Sequence, residues 1–274
     1  KGCPGARAGA FAVQKGGDPM LWAALLVTTL AGLSTGLGGL LSLLHKPTDR
    51  MMAASMGFAG GVMLTVSLMD MLPGSLGYYR RALPPFSAGM AMASLLAMGM
   101  LVAALLERCL PEEAAWAGDM DLRRARALRS ALVTGLALLL HNLPEGILTL
   151  FTGVADPQLG LRLALAIALH NIPEGIAVAV PLYYATKSRA KAAGAAFASG
   201  LAEPLGAVLA YSFLHPYLTD AFLNGLMVLI AGVMSWVSVA ELLPAGFAFG
   251  KKLGTAVGFA LGALVMLFGI ACLS

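Results

Sequence analysis

The amino-acid sequence predicts an all-α integral membrane protein of eight transmembrane helices with inverted-repeat character. Three observations predict it. The chain is 59% hydrophobic and only 12% charged, against about 25% charged in an ordinary soluble domain, and its mean hydropathy is +0.82. A crossing needs about 20 apolar residues, so 274 residues hold roughly eight crossings joined by short loops, with no room for a separate soluble domain. Finally, two near-identical segments fall on neighbouring apolar runs, where successive crossings must point in opposite directions.

Reading the apolar runs against Gly, Pro and charge punctuation places the helices at 20–44, 51–72, 85–106, 128–151, 161–184, 190–214, 221–243 and 254–273. Residues 1–19 are polar, Gly-containing and basic (Lys1, Arg7, Lys15), and read as a disordered extracytoplasmic tail before a membrane domain over 20–274. The odd-numbered loops carry twelve Lys and Arg, from Lys46 to Lys252, against six on the other side. The positive-inside bias therefore puts those loops in the cytoplasm, including a long one at about 107–127, and both termini outside. Because the basic residues are spread over loops, nucleic acid is not an expected partner; the bilayer is. Cys3, Cys109 and Cys272 have no CxxC spacing and suggest neither a disulfide nor a thiolate site.

The matched segments are LALLLHNLPEGI at 136–147 and, 29 residues on, LAIALHNIPEGI at 165–176. On antiparallel helices the same hexapeptide is what an inverted repeat produces. A second pair is SLMDMLPG at 67–74 in the second helix and SVAELLPAG at 238–246 in the seventh, each with a carboxylate three residues before a Pro. With the second helix running outward and the seventh inward, Asp70 is expected near the outer mouth and Glu241 near the inner one.

Five of the fourteen acidic residues, Asp70, Glu145, Glu174, Glu203 and Glu241, lie in or at the ends of these helices, whose apolar cores hold no Lys or Arg. With no internal counter-ion, such carboxylates must be protonated, hydrated or bound to a cation, and a cation is the economical answer. His141 and Glu145 stand at i and i+4, as do His170 and Glu174, so each helix offers an imidazole and a carboxylate one turn apart to a shared ion. Asn142 and Asn171 add amide oxygens that allow a second ion to share the carboxylates. Pro144 and Pro173 free backbone carbonyls beside the ligands. Glu203, in GLAEPLG, ranks as a ligand from the sixth helix, where Pro204 frees the carbonyl of Ser199 or Gly200. Imidazole, carboxylate and amide oxygen together suit borderline divalent metals such as Zn²⁺ or Fe²⁺; Met63 is an additional candidate through its thioether.

The segments HNLPEG at 141–146, HNIPEG at 170–175, GLAEPLG at 200–206 and GFAGGVMLTVSLMDMLPG at 57–74 resemble the ZIP (Zrt/Irt-like) divalent-metal transporters, and among them the short bacterial ZupT type. The resemblance covers nearly the whole chain from Met20. It implies a binuclear centre in which His141, Glu145, His170 and Glu174 form one position, with Met63 nearby. Asn142, Asn171 and Glu203 form the other, sharing Glu145 and Glu174. It also implies outward-facing termini, Asp70 at the entrance, Glu241 at the exit and pairing as a homodimer. The family's His-rich loop between helices three and four has no counterpart, since 107–127 contains no His.

The expected function is uptake of divalent metal from outside into the cytoplasm across a bacterial inner membrane. Zn²⁺ is the foremost cargo, and Fe²⁺, Mn²⁺, Co²⁺ and Cd²⁺ suit the same ligands. The chain is not expected to be an enzyme. An intramembrane metallohydrolase, the competing reading, needs an open zinc position and a general base, and the sequence has no HExxH. A metal-gated channel or receptor would share the site but show unsaturable flux or none.

Overall fold

The computed structural model describes residues 19–111, 120–214 and 219–273, so the tail expected at 1–19 lies, but for Pro19, outside the described residues. Among those described there are eight helices long and apolar enough to cross a membrane. They are α1 (Pro19–Ser42), α2 (Asp49–Ala82), α3 (Pro85–Cys109), α4 (Leu122–Ala155), α5 (Pro157–Thr186), α6 (Arg189–Phe213), α7 (Asp220–Ala248) and α8 (Lys252–Leu273). All eight coincide with predicted spans, but α2 and α4 run 34 residues each. Helix α4 gains a basic first two turns, LRRARALRS, beyond the apolar stretch that marks the crossing. The cytoplasmic loop expected at 107–127 is accordingly shorter, since Glu107 is still in α3 and Arg123 already in α4.

Side-chain caps set the starts. Thr48, Asp121, Asp156, Ser188 and Thr219 each accept a hydrogen bond from a backbone N–H in the first turn that follows. Asp156 does double duty as the C-cap of one helix and the N-cap of the next, accepting from the N–H groups of Gln158 and Leu159 at 3.0 and 3.1 Å. With a single residue between them, α4 and α5 must fold back as an antiparallel hairpin. Gly160 makes this possible, because a Cβ there would run into the backbone of Gly153. Counting from Asp156, His141 lies fifteen residues back and His170 fourteen residues on. The two motifs therefore reach the same depth, about 22 Å from the turn at 1.5 Å per residue.

The helices pack in two groups: α1, α4, α5 and α6 on one another, and α2 on α8 with α3 on α7. The groups meet where α2 lies on α5 and α7 on α4. Backbone touches backbone between α2 and α8, with Gly57 against Thr255, Gly61 against Phe259 and Gly258 against Ala54, the close approach that small residues allow without water. Long apolar side chains on α1, α3 and α8, among them Trp22, Phe86 and Phe268, point outward into what is lipid for a membrane-spanning chain.

The second pair of internal similarities proves to be one structural device used twice. In α2 a π turn covers Ser67–Met71, and the N–H of Leu72 bonds to the carbonyl of Ser67. In α7 a π turn covers Val237–Leu242, and the N–H of Leu243 bonds to the carbonyl of Ser238. Each precedes a proline, Pro73 or Pro244, whose missing N–H and ring bulk conflict with an α-helical ladder. Widening the turn before it absorbs the conflict and lets the helix continue, which is why α2 and α7 run past the ends the prolines suggested.

Candidate metal centre

The hairpin brings the two motifs into contact in a crossed arrangement. His141 Nε2 on α4 lies 3.2 Å from Glu174 Oε1 on α5, and His170 Nε2 on α5 lies 3.5 Å from Glu145 Oε1 on α4. The first pair is hydrogen-bonded; the second is close enough for ion pairing but not aligned as a hydrogen bond. Each imidazole thus faces the carboxylate of the opposite helix. All four side chains are buried, with exposures of 3% or less.

Helix α6 supplies the third wall. It bends at Leu201, between segments Arg189–Gly200 and Ala202–Leu209, and Glu203 follows, fully buried. The bend exposes the carbonyl of Ser199, which accepts a hydrogen bond from Asn142 Nδ2 at 3.0 Å. Of the two carbonyls Pro204 was expected to free, Ser199 is the one that Asn142 reaches. Asn171 Nδ2 donates to the carbonyl of Ala31 on α1 at 3.0 Å and to Glu203 Oε1. Glycines hold these walls together: a Cβ on Gly146 would meet the backbone of Glu203, and one on Gly175 the backbone of Thr35.

The amides are anchored through their NH₂ groups, which leaves their oxygens free. Asn142 Oδ1, Asn171 Oδ1, Glu145 Oε2, Glu174 Oε2, Glu203 Oε2 and the Nδ1 atoms of both histidines are buried without a hydrogen-bond partner. Buried polar atoms are paired in the great majority of cases, so this concentration of idle electron pairs sets the cluster apart. Among the described residues no Lys or Arg pairs with Glu145, Glu174 or Glu203, and no three His, Cys, Asp or Glu side chains close on one point. The groups lie side by side in pairs that a divalent ion would draw together.

A family model described as ZIP zinc transporter matches residues 112–271, a stretch that contains both motifs, Glu203 and Glu241. The chain belongs to the ZIP transporter family. Similar proteins include the zinc transporter ZupT of Chlorobium limicola, 40% identical over 254 residues, covering 89% of this chain and 96% of that protein. ZupT of Akkermansia muciniphila is 42% identical over 255 residues, covering 88% and 94%, and that of Streptococcus mutans 36% over 252 residues, covering 90% and 96%. The family is one of transporters, not of enzymes.

The remaining expected residues of this ZIP chain lie around the centre. Met63 is fully buried in an apolar cluster with Ala137, Leu138, Val178 and Met234. Asp70 sits half-buried on the α2 π turn. Glu241 occupies the opposite half of the molecule, seven residues from the end of α7, where Ala53 near the start of α2 is packed against Gly246.

One expectation about Glu241 is corrected. It does have an internal counter-ion: Arg129 Nη1 lies 3.6 Å away, and Arg129 Nη2 lies 3.7 Å from Glu107 Oε1 on α3. Glu107 Oε2 accepts in turn from the indole N–H of Trp236 at 3.1 Å. Glu107, Arg129 and Glu241 line a cavity of about 250 Å³ with Arg126, Pro244 and Ala248. Arg129 had the look of a topology signal because it closes a basic cluster at the edge of the fourth predicted span. The packing of α4 against α3 and α7 turns it toward the bundle interior.

Proposed function

We propose that this chain carries divalent metal, zinc foremost, from outside into the cytoplasm, and that the α4–α5–α6 cluster is where the metal rests on the way. The observation that supports the reading is the buried donor set: three carboxylates and two histidines deep in the bundle whose free oxygens and nitrogens have no protein partner. An ionised carboxylate at mid-membrane costs about 3 kcal/mol or more, a cost that a bound cation offsets. Zinc transporters ZupT among the relatives, matched over nearly their whole length, agree with zinc as cargo.

In this reading His141, Glu145, His170 and Glu174 hold one ion, with Met63 beneath it. Asn142, Asn171 and Glu203 hold a second that shares the two carboxylates. Asp70, on the α2 π turn, is the approach from outside; Glu241 is the exit. The basic residues at the start of α4 and in the α5–α6 and α7–α8 connections face the cytoplasm, which leaves both termini outside; the bacterial ZupT relatives agree with a bacterial inner membrane. Fe²⁺, Mn²⁺, Co²⁺ and Cd²⁺ are further cargoes the same donors accommodate, and a second copy of the chain is the expected protein partner.

The test is uptake of radioactive Zn²⁺ into proteoliposomes by the native chain, His170→Ala and Glu174→Ala, with Fe²⁺ and Mn²⁺ as competitors. Saturable accumulation that both folded variants lose supports a carrier, and competition ranks the cargoes. Zinc binding without movement overturns transport, and flux linear in zinc concentration means a channel.

A further inference from the structure

Two hydroxyls on the site-facing side of α4 have no partner. Ser130 Oγ and Thr134 Oγ1 make no hydrogen bond, although their residues are 3% and 0% exposed. Helical Ser and Thr commonly satisfy themselves on the carbonyl four residues back, and Thr28, Ser67, Thr149, Thr186 and Ser199 do so in this protein. Ser130 and Thr134 make no such bond. Thr35, Ser235 and Thr255 are also unpartnered, but they lie on other helices.

Position gives the α4 pair its meaning. At about 100° per residue, Ser130, Thr134, His141 and Glu145 fall within an arc of about 60° on α4. Thr134 lies about 10 Å and Ser130 about 16 Å along the axis from His141, toward the end where Arg129 meets Glu241. The turn between, Ala137 and Leu138, is buried against Met63, Val178 and Met234. From the metal centre inward, this face of α4 therefore offers an apolar turn, two idle hydroxyls and an ion-paired mouth.

We propose that Thr134 and Ser130 are positioning residues for metal release, a role that rests on the transport reading above. A divalent ion leaving a carboxylate site needs oxygen ligands at each stage, weak enough to let it go, and a neutral hydroxyl with free lone pairs provides that. In the arrangement seen here the neighbouring helices close over these hydroxyls and leave them buried and unmatched, which disfavours this closed arrangement. When α4 parts from the helices facing it, they gain water and present it, with their own oxygens, to the departing ion. Replacing them with apolar groups of equal shape favours the closed arrangement and slows release while leaving capture intact.

The experiment compares wild type, Thr134→Val, Thr134→Ser, Ser130→Ala and the Thr134→Val/Ser130→Ala pair in proteoliposomes, with Zn²⁺ as the probe. Zinc affinity and thermal unfolding are measured on the same preparations. Thr134→Val is expected to unfold at the wild-type temperature or above and to bind Zn²⁺ with unchanged Kd. Its kcat falls about fivefold to tenfold, with KM unchanged or lower; Thr134→Ser restores kcat, and the double variant is slower still. A Thr134→Val kcat within about twofold of wild type overturns the proposal. So does a parallel loss of Kd and stability, which would mark a packing role. A wild-type protein that moves no zinc brings down the transport reading itself, an outcome visible in the wild-type trace alone.

Discussion

Arg129 on α4 and Glu241 on α7 are ion-paired at 3.6 Å, and the pair spans the boundary between the two helix groups. Arg129 also reaches Glu107 on α3, so one guanidinium ties α4 to both α3 and α7 at the end proposed as the inner mouth. A second tie at that end joins Arg123 to Asp49 at 2.7 Å, and Tyr184 donates to the same carboxylate at 3.0 Å. If metal leaves past Glu241 as proposed, its charge competes with Arg129 for that carboxylate.

Arg129→Gln is therefore expected to loosen the mouth. With Cys3, Cys109 and Cys272 replaced, a cysteine placed at Ala248 on the cavity wall is expected to react several-fold faster with a membrane-impermeant thiol reagent from the cytoplasmic side. The Trp236 emission shifts as its carboxylate partner Glu107 loses its cation. Both groups of the Arg129–Glu241 pair are mostly but not wholly buried, so the cost in stability is about 1–3 kcal/mol. Unchanged labelling and emission would mean that Arg129 closes nothing.

The crossed pairing predicts which residues are coupled. In chelator, where no metal contributes, a double-mutant cycle of His141→Ala with Glu174→Ala is expected to give an interaction energy of about 1 kcal/mol or more in thermal unfolding. The cycle of His141→Ala with Glu145→Ala, neighbours on one helix, is expected to give less. Equal couplings would contradict the crossed contact.

Gly146→Ala pushes a methyl into the backbone of Glu203, so α4 and α6 must separate and Glu203 must leave the centre. A destabilisation of about 1–3 kcal/mol and loss of high-affinity Zn²⁺ binding are expected together. Gly89→Ala and Gly194→Ala, where a methyl meets nothing within 4 Å, serve as neutral controls by calorimetry and zinc titration.

Metal binding requires neutral imidazole and ionised carboxylate, so protons compete with metal for every proposed ligand. Initial uptake is expected to fall as the external medium is taken from about pH 7.5 to about pH 5.5, through the ordinary range of histidine. Binding of Zn²⁺ in weak buffer is expected to release protons, measured with a pH dye. Uptake that does not change over this range, or binding without proton release, would argue against the His/Glu ligand set.

Much of this was legible in the residues themselves. The eight helices follow from apolar runs because a bilayer demands about 20 such residues per crossing whatever the helix packs against. The contact of α4 with α5 at matched depth follows from the 29-residue spacing of two matched HNxPEG motifs around one turn. The prolines misled at the ends of α2 and α7, since a π turn lets a helix pass a proline that local rules treat as a stop. Arg129 was missed for a different reason: its place in a basic cluster at the edge of the fourth span says nothing of the carboxylates on α3 and α7 that it meets.

What the sequence determined by itself was composition, periodicity and repeat: a membrane-spanning helical chain, paired HNxPEG motifs and carboxylates without cations in their own apolar segments. These are local properties, set by side-chain chemistry along a single helix. Tertiary structure alone decided that His141 meets Glu174 instead of its own helix partner Glu145, that the carbonyl of Ser199 receives Asn142, and that Glu241 is neutralised from α4. Those outcomes depend on how helices rotate and slide against one another. Side-chain reach and backbone-to-backbone glycine contacts fix that rotation, and neither is written in the spacing of residues on one helix.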